Sequence, residues 1–161
     1  MIKAIVYNSN TGFTAQYAEI LSKETGLPAY KLDDMKDNLE RYDEIIYMGW
    51  ICLGKVKGYR RASDYAQCSV VCGVGLQQPD ADMCQTISEH NHIKPYKFFM
   101  LHGGLDISKQ KKVGKVLLNI MKNRDAFTKE GTEELDKVLT EGEGSFVDVE
   151  SLKPLIAYLN R

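Results

Sequence analysis

Residues 5–14, with the sequence IVYNSNTGFT, constrain the fold of this chain more than any other stretch. They begin as a short apolar run and end in hydroxyl side chains around Gly12, and residues 15–25 continue with apolar side chains at helical spacing. This pattern predicts a buried strand, a tight turn and the N-terminus of a helix. The backbone N–H groups of such a turn and the positive end of the helix dipole suit a phosphate dianion.

Three hydroxyl side chains of the turn would add hydrogen bonds to such an anion, those of Ser9, Thr11 and Thr14. No lysine or arginine occurs between Lys3 and Lys23, so we expect dipoles alone to hold the anion. An ordinary strand-to-helix turn that is capped by Ser or Thr would give a similar pattern.

Length and composition predict a single soluble domain over residues 1–161, with 43% apolar and 27% charged side chains. No apolar run approaches the roughly 18 residues of a membrane span. The first residues have the pattern of a strand and lack the features of a signal peptide. The cysteines form no CxxC pair, and inside a cell they would stay reduced. We therefore expect a cytoplasmic location.

Strand and helix patterns alternate along the first hundred residues. After the first helix, which we expect to end at Gly26, we predict strands over 28–32, 43–49, 68–73 and 96–101, and helices over 59–66 and 80–90. This alternation favours an α/β fold with five parallel strands. Right-handed crossovers fit the strand order 2-1-3-4-5, with helices on both faces of the sheet in three layers.

The remainder of the chain predicts additional helices, in an extra helical segment at about 105–140. Residues 108–121 form an amphipathic pattern with lysines on one side, and 132–139 have the pattern of another helix. Residues 146–149 fit a resumed sheet edge. A closing helix follows, with Pro154 in its first turn, where proline is tolerated.

The motif Ser9-x-Thr11-Gly12-x-Thr14 resembles the FMN-phosphate loop of the flavodoxin family, T/S-x-T-G-x-T. The resemblance implies the flavodoxin-like fold and FMN as the cofactor. Residues 103–106, GGLD, and the lysine-rich segment after them are similar to the flavodoxin subfamily that includes menaquinone-dependent protoporphyrinogen oxidase. That second likeness covers most of the chain but rests on weaker motifs.

The resemblance also implies the residues that would bind the cofactor. These lie in the phosphate loop, in the loop after the third strand and in the loop after the fourth: Ser9, Asn10, Thr11, Gly12, Phe13, Thr14, Trp50, Ile51, Cys52, Leu53, Gly54, Gly73, Val74 and Gly75. Trp50 would either stack on the flavin ring or point into the core or over the phosphate loop. Gly54 would supply a peptide that flips when the flavin is reduced, because glycine tolerates positive φ.

Other chemistry has weaker support, and we predict no catalytic side chain and no metal site. His90 and His92 lack a third nearby ligand. Residues 49–56 nearly spell a phosphate-binding P-loop, but Val56 stands where the magnesium-binding hydroxyl belongs. Cys68 and Cys72 would share one face of the fourth strand as small buried side chains.

Positive charge concentrates in the middle of the chain. Residues 50–124 carry twelve basic and five acidic side chains, a net charge of +7, while the whole chain has −1. This pattern fits either solvated helix faces or a basic docking surface. The second interpretation favours an anionic partner, such as a redox protein, an anionic small-molecule or quinone acceptor, or a peripheral membrane contact, and not nucleic acid.

Two functions from different classes follow from the sequence. The first is an FMN-binding electron-transfer protein or oxidoreductase with its redox chemistry at the flavin. The second is a regulatory module of the same fold, which binds phosphate or a nucleotide without redox activity.

Overall fold

A parallel β-sheet organises the part of the chain that the computed structural model describes, which is residues 1–10, 12–35, 42–106 and 143–161. Five strands lie in the order β2-β1-β3-β5-β6. Their bounds are Ala4–Asn8 (β1), Ala29–Lys31 (β2), Glu44–Cys52 (β3), Gln67–Gly75 (β5) and Phe98–His102 (β6). All four pairings between them are parallel, so the predicted order 2-1-3-4-5 of a flavodoxin-like fold is confirmed.

Three short strands add antiparallel pairings. Strand β4, Lys55–Val56, turns back on the end of β3. Strands β7, Gly104–Asp106, and β8, Glu143–Ser145, form a separate two-stranded sheet. The sheet edge that we predicted for residues 146–149 is wrong, because the strand ends at Ser145 and Val149 already belongs to a 3-10 turn.

Helices cover both faces of the main sheet, as predicted. Their bounds are Phe13–Thr25 (α1), Tyr59–Ser63 (α2), Ala81–His90 (α3) and Lys153–Leu159 (α4), and single 3-10 turns occupy Leu32–Met35, Pro95–Lys97 and Val149–Leu152. On one face, α1 and α4 pack Tyr17, Leu21 and Leu155 against β1, β3 and β5. On the other, α2 and α3 pack Ala62 and Ile87 against the opposite side chains.

Several helix ends follow the sequence closely. Gly26 ends α1 in the left-handed conformation, with φ 72°. Asp80 caps α3, and its carboxylate accepts a hydrogen bond of 2.7 Å from Met83 N. Pro154 lies in the first turn of α4, where its missing N–H removes no helical bond. The predicted basic helix is shorter than expected, since α2 ends at Ser63.

A β-bulge in β5 corrects the prediction for two cysteines. Ile45 pairs with Cys68 but the next residue, Ile46, pairs with Val70, so Ser69 is an extra residue in the ladder. An extra residue reverses the alternation of side chains. Cys68 therefore packs on the α2–α3 face and Cys72 on the α1–α4 face, and the expectation that they share one face is wrong.

The predicted helices at 108–121 and 132–139 lie outside the described residues, as does most of the extra segment at about 105–140. Within the described ranges, no helix has the length and apolar character to cross a membrane.

Candidate ligand-binding site

The carboxyl edge of the sheet brings the predicted loops together. Asn8, the last residue of β1, pairs with Gly49, and Gly49 pairs with Gly73. The chain order reverses here, since β2 lies on one side of β1 and β3 on the other. Ligands of open α/β sheets bind outside the carboxyl ends of the strands at this switch point.

Gly12 starts α1 and fixes the direction of the loop before it. It is the N-cap residue, with φ 102°, a conformation that L side chains rarely adopt. Ser9 Oγ accepts hydrogen bonds from Gly12 N at 3.1 Å and from Ala15 N at 3.3 Å. The Ser9 hydroxyl therefore holds the loop against the helix, a role close to that of the Ser or Thr cap which the sequence left open as the alternative.

The other predicted loop residues differ in their access to a ligand. Asn10 is exposed, whereas Phe13 is buried and Thr14 is only 2% exposed. Thr11 lies outside the described residues. The backbone N–H groups of Phe13 and Thr14 have no protein acceptor within the described ranges. They point from the first turn of a helix, where partial positive charge accumulates.

A cavity of about 340 Å³ adjoins this loop on the side of β2. Its walls come from the end of β1, the loop, the first turn of α1 and the end of β2: Tyr7, Asn8, Ser9, Asn10, Gly12, Ala15, Lys31, Leu32 and Asp33. Apart from Gly12, its chain neighbours and the backbone of α1, no described atom lies within 4 Å of the Cβ position of Gly12.

Lys31 is a site residue that the reasoning from sequence missed. The expectation that dipoles alone face the anion considered only residues near the loop in sequence. Tyr7 pairs with Lys31 across β1 and β2, which places the lysine at the same edge. The signal was available in the predicted strand order, since strand 2 adjoins strand 1. Asp33 also lines the cavity, and its carboxylate forms an ion pair of 2.7 Å with Arg61.

Trp50 lies within β3 and not in a loop, which corrects its predicted position. Strand β3 continues through Cys52, three residues past the level of Asn8. Trp50 is half-buried and follows Met48 on the α1–α4 face by strand alternation. Because Asn8 pairs with Gly49, Trp50 stands level with the start of the turn between β1 and α1.

Beyond Cys52, β3 and β4 form a hairpin, so the predicted apolar loop 50–54 reduces to a two-residue turn. Leu53 and Gly54 both have positive φ, 52° and 73°, as in a type I′ turn. The returning chain passes over Gly49, where an added Cβ would lie 2.6 Å from Lys57 O. The hydroxyl of Tyr47 donates a hydrogen bond to the same carbonyl oxygen, Lys57 O, at 2.6 Å. Burial raises the pKa of that hydroxyl.

Asn91 anchors the hairpin to the end of α3. Its side-chain oxygen accepts from Val56 N at 3.0 Å, and its nitrogen donates to Gly54 O and Ile87 O, both at 2.8 Å. The Gly54 carbonyl is thus already bonded. A peptide flip in this turn would have to occur at the bond that joins Leu53 to Gly54.

Gly73, Val74 and Gly75 also belong to a strand, since β5 runs to Gly75 and the exit loop begins at Leu76. The expectation that the loop starts at Gly73 is wrong. Ile51 lies against both glycines, because an added Cβ would be 2.8 Å from Ile51 Cδ1 at Gly73 and 3.6 Å at Gly75. None of residues 50–54 or 73–75 is among the described residues that line the cavity beside β2.

Among the described residues, no group of three His, Cys, Asp or Glu side chains lies close enough to hold a metal ion. No protein-family model matches this chain, and no curated protein matches it either.

Proposed function

We propose that the protein binds FMN and functions as a flavodoxin-like electron-transfer protein or oxidoreductase. One observation carries the proposal: a glycine-capped helix begins at the switch point of a 2-1-3-4-5 sheet, with a cavity beside its first turn. Bound FMN supplies one- and two-electron chemistry at its ring.

The residues of the first turn fit a phosphate group. The N–H groups of Phe13 and Thr14 lack acceptors in the described ranges, and the space above Gly12 is open. A dianion there would accept these hydrogen bonds and interact favourably with the helix dipole. Lys31, in the wall of the adjoining cavity, would add a positive charge. Ser9 keeps the loop in position.

For the flavin ring, we propose the neighbourhood of Trp50 and the tip of the β3–β4 hairpin. Trp50 stands level with the phosphate loop, and Leu53 at the hairpin tip is 55% exposed. An indole and an exposed apolar side chain would exclude water from a flat ring. The protein would tune the ring through the backbone of this turn and would supply no catalytic acid or base.

Replacing Gly12 with alanine tests the proposed phosphate loop, and Gly26→Ala is its matched control. Both glycines have positive φ and open space around the Cβ position, and they lie at opposite ends of α1. Each substitution should lower the free energy of unfolding by about 1–2 kcal/mol. Only Gly12→Ala should weaken FMN binding, by about tenfold or more, and it should leave the affinity for riboflavin nearly unchanged, because riboflavin lacks the phosphate.

Titration of the purified protein with each flavin, followed by absorption and fluorescence, gives these affinities. If the parent protein binds FMN and riboflavin equally, the phosphate does not contribute and the proposed loop is wrong. If neither flavin binds, the function itself is wrong.

A second candidate function is a regulatory module that binds a nucleotide. It is favoured by the position of the cavity on the β2 side, with Lys31 and Asp33 in its wall. In dinucleotide-binding folds an acidic residue about 20 positions beyond the glycine loop binds the ribose hydroxyl. Competition of AMP against FMN separates the two functions, because a nucleotide site would prefer AMP and show no redox activity.

We also propose a cytoplasmic location, in accord with the four free cysteines, and an anionic partner at the basic cluster of Lys55, Lys57 and Arg60.

A further inference from the structure

A second cavity, of about 500 Å³, lies beside the edge strand β6 at the same end of the sheet. Three segments form its walls: the loop after β5, the end of β6 and the approach to α4. The lining residues are Gln78, Pro79, Met100, His102, Phe146, Val147, Asp148 and Ser151. They differ entirely from the residues of the cavity beside β2.

Hydrogen bonds of the Tyr17 hydroxyl connect the walls of this second cavity. The residue is fully buried, and its hydroxyl donates to His102 O at 2.5 Å, accepts from Asp148 N at 3.1 Å and lies 3.1 Å from Ser151 Oγ. Phe146 N in turn donates to Gly103 O at 2.8 Å. These bonds fix the spacing between β6 and the approach to α4, so the cavity has a preformed shape.

One wall presents two stacked rings. The imidazole of His102 and the ring of Phe146 lie parallel within 2°, with centroids 4.4 Å apart. His102 Nε2 lies 3.1 Å from Leu76 O, and because a carbonyl oxygen only accepts, Nε2 carries a proton. Together with Met100 and Val147, this wall offers a mostly apolar surface to a flat molecule.

The polar part of the lining of this second cavity supplies hydrogen-bond acceptors. The Asp148 carboxylate accepts from Glu150 N at 2.9 Å through one oxygen only among the described residues. The Ser151 hydroxyl and the Gln78 carboxamide can both accept and donate hydrogen bonds. Among the eight described lining residues there is no lysine or arginine, so the Asp148 carboxylate is the charged group among them and would repel an anion. The first cavity differs, because its described lining includes Lys31 and the start of a helix.

We propose that this second cavity binds a neutral, planar aromatic molecule that carries a hydrogen-bond donor. Its ring would pack against Met100, Phe146 and Val147, and its O–H or N–H group would donate to the carboxylate of Asp148. The inference does not rest on FMN binding. The cavity nevertheless adjoins the proposed cofactor site, since the Cβ position of Gly103 lies 3.7 Å from Phe13 Cβ, in the first turn of α1.

Three small probes test the proposed chemistry: phenol, anisole and benzoate. Phenol is neutral and has a donor, anisole lacks the donor, and benzoate carries a negative charge. Phenol should bind about tenfold more tightly than anisole, because only phenol can donate to a charged acceptor, and benzoate should bind more weakly than both. Titrations by NMR should move the ring signals of His102, while His90 and His92 serve as internal references.

Asp148→Asn and Glu150→Gln form a matched pair of variants. Asparagine keeps an acceptor oxygen for Glu150 N, so the turn before α4 should persist, and thermal unfolding checks this. Asp148→Asn should reduce phenol affinity several-fold and relieve the discrimination against benzoate. Glu150→Gln removes a neighbouring charge that does not line the cavity and should leave both affinities unchanged.

Three results would overturn the inference. The first is equal binding of phenol and benzoate by the parent protein. The second is an identical response of the two variants. The third is displacement of phenol by FMN at a one-to-one ratio, which would make this cavity part of the cofactor site. The proposal holds if phenol is preferred, if Asp148→Asn alone removes the preference and if FMN does not compete.

Discussion

Trp50 and Lys57 face each other across the β3–β4 hairpin, with Lys57 Nζ 5.9 Å from the centroid of the indole ring. Lys57 N also donates to Trp50 O at 2.9 Å, so the two residues form a cross-strand pair. A cation over an indole face contributes about 0.5–1 kcal/mol at an exposed site. The hairpin therefore holds the only tryptophan in a defined orientation beside the turn between β1 and α1.

This orientation predicts the response of tryptophan fluorescence to FMN. Addition of FMN to the apoprotein should quench the emission strongly, because a bound flavin would lie against the indole. Lys57→Met removes the cation and should change the emission of the apoprotein but leave quenching by FMN intact. If the emission at saturating FMN equals that of the apoprotein, Trp50 does not contact the flavin.

Asn91 should contribute strongly to the free energy of unfolding, because its side chain forms hydrogen bonds with three backbone groups. Asn91→Ala leaves these partly buried groups without their partner and should lower the free energy of unfolding by about 2–3 kcal/mol. Asn160→Ala, at the C-cap of α4, is the control and should cost less than about 0.5 kcal/mol. Urea denaturation measures both values, and a similar cost for the two variants would contradict the anchoring role of Asn91.

The cysteines should differ in their reaction with iodoacetamide. Burial raises the pKa of the Cys68 thiol to about 12 and raises the pKa of Cys72 as well. Because the thiolate is the nucleophile, both should remain almost unmodified at pH 8 in the folded protein. Half-buried Cys52, on the hairpin, should react first. Mass spectrometry of timed samples gives the order, and early modification of Cys72 would contradict its position in the core.

The basic cluster should affect electron transfer to an anionic acceptor. Arg61 is already paired with Asp33, so Arg60 is the better test of the cluster. The FMN-loaded protein is first reduced with dithionite, and the reduced flavin then gives one electron to each ferricyanide. This transfer should slow as salt increases, by about threefold or more, because screening shortens the reach of surface charges. Arg60→Glu should flatten this dependence. Lys94→Glu, before β6 at the opposite end of the sheet, should not. If the rate of ferricyanide reduction by the parent protein does not depend on salt, these cations belong to an ordinary solvated surface.

Local patterns predicted the parts of the fold that depend on neighbours in sequence. The buried run before Ser9, the glycines at both ends of α1 and the cap at Asp80 each follow from backbone chemistry within a few residues. The strand order followed from alternation and crossover handedness. The turn between β1 and α1 was located in this way, and its role as a phosphate loop remains a prediction.

Features that depend on distant contacts could not be predicted locally. The hairpin at Leu53 requires Asn91, which lies 37 residues beyond Gly54. The contribution of Lys31 depends on pairing between β1 and β2. Trp50 stands where the sequence predicts a loop, and it lies in a strand because Val74 of β5 pairs with it on one side and Lys57 N, just after β4, donates to its carbonyl on the other. In each case tertiary pairing overrode the local signal.

The bulge at Ser69 has a consequence for changes in chain length. It divides β5 into an entry half, Gln67 and Cys68, and a half that runs from Val70 to Gly75 toward the ligand-binding edge. A deletion of Ser69 would join Cys68 directly to Val70, and these residues already lie on opposite faces of the sheet and pair with the consecutive residues Ile45 and Ile46. A regular ladder would form and both halves would keep their faces. The bulge thus holds one residue that the ladder on either side does not need, so a one-residue deletion here should leave the backbone from Val70 to Gly75 in place.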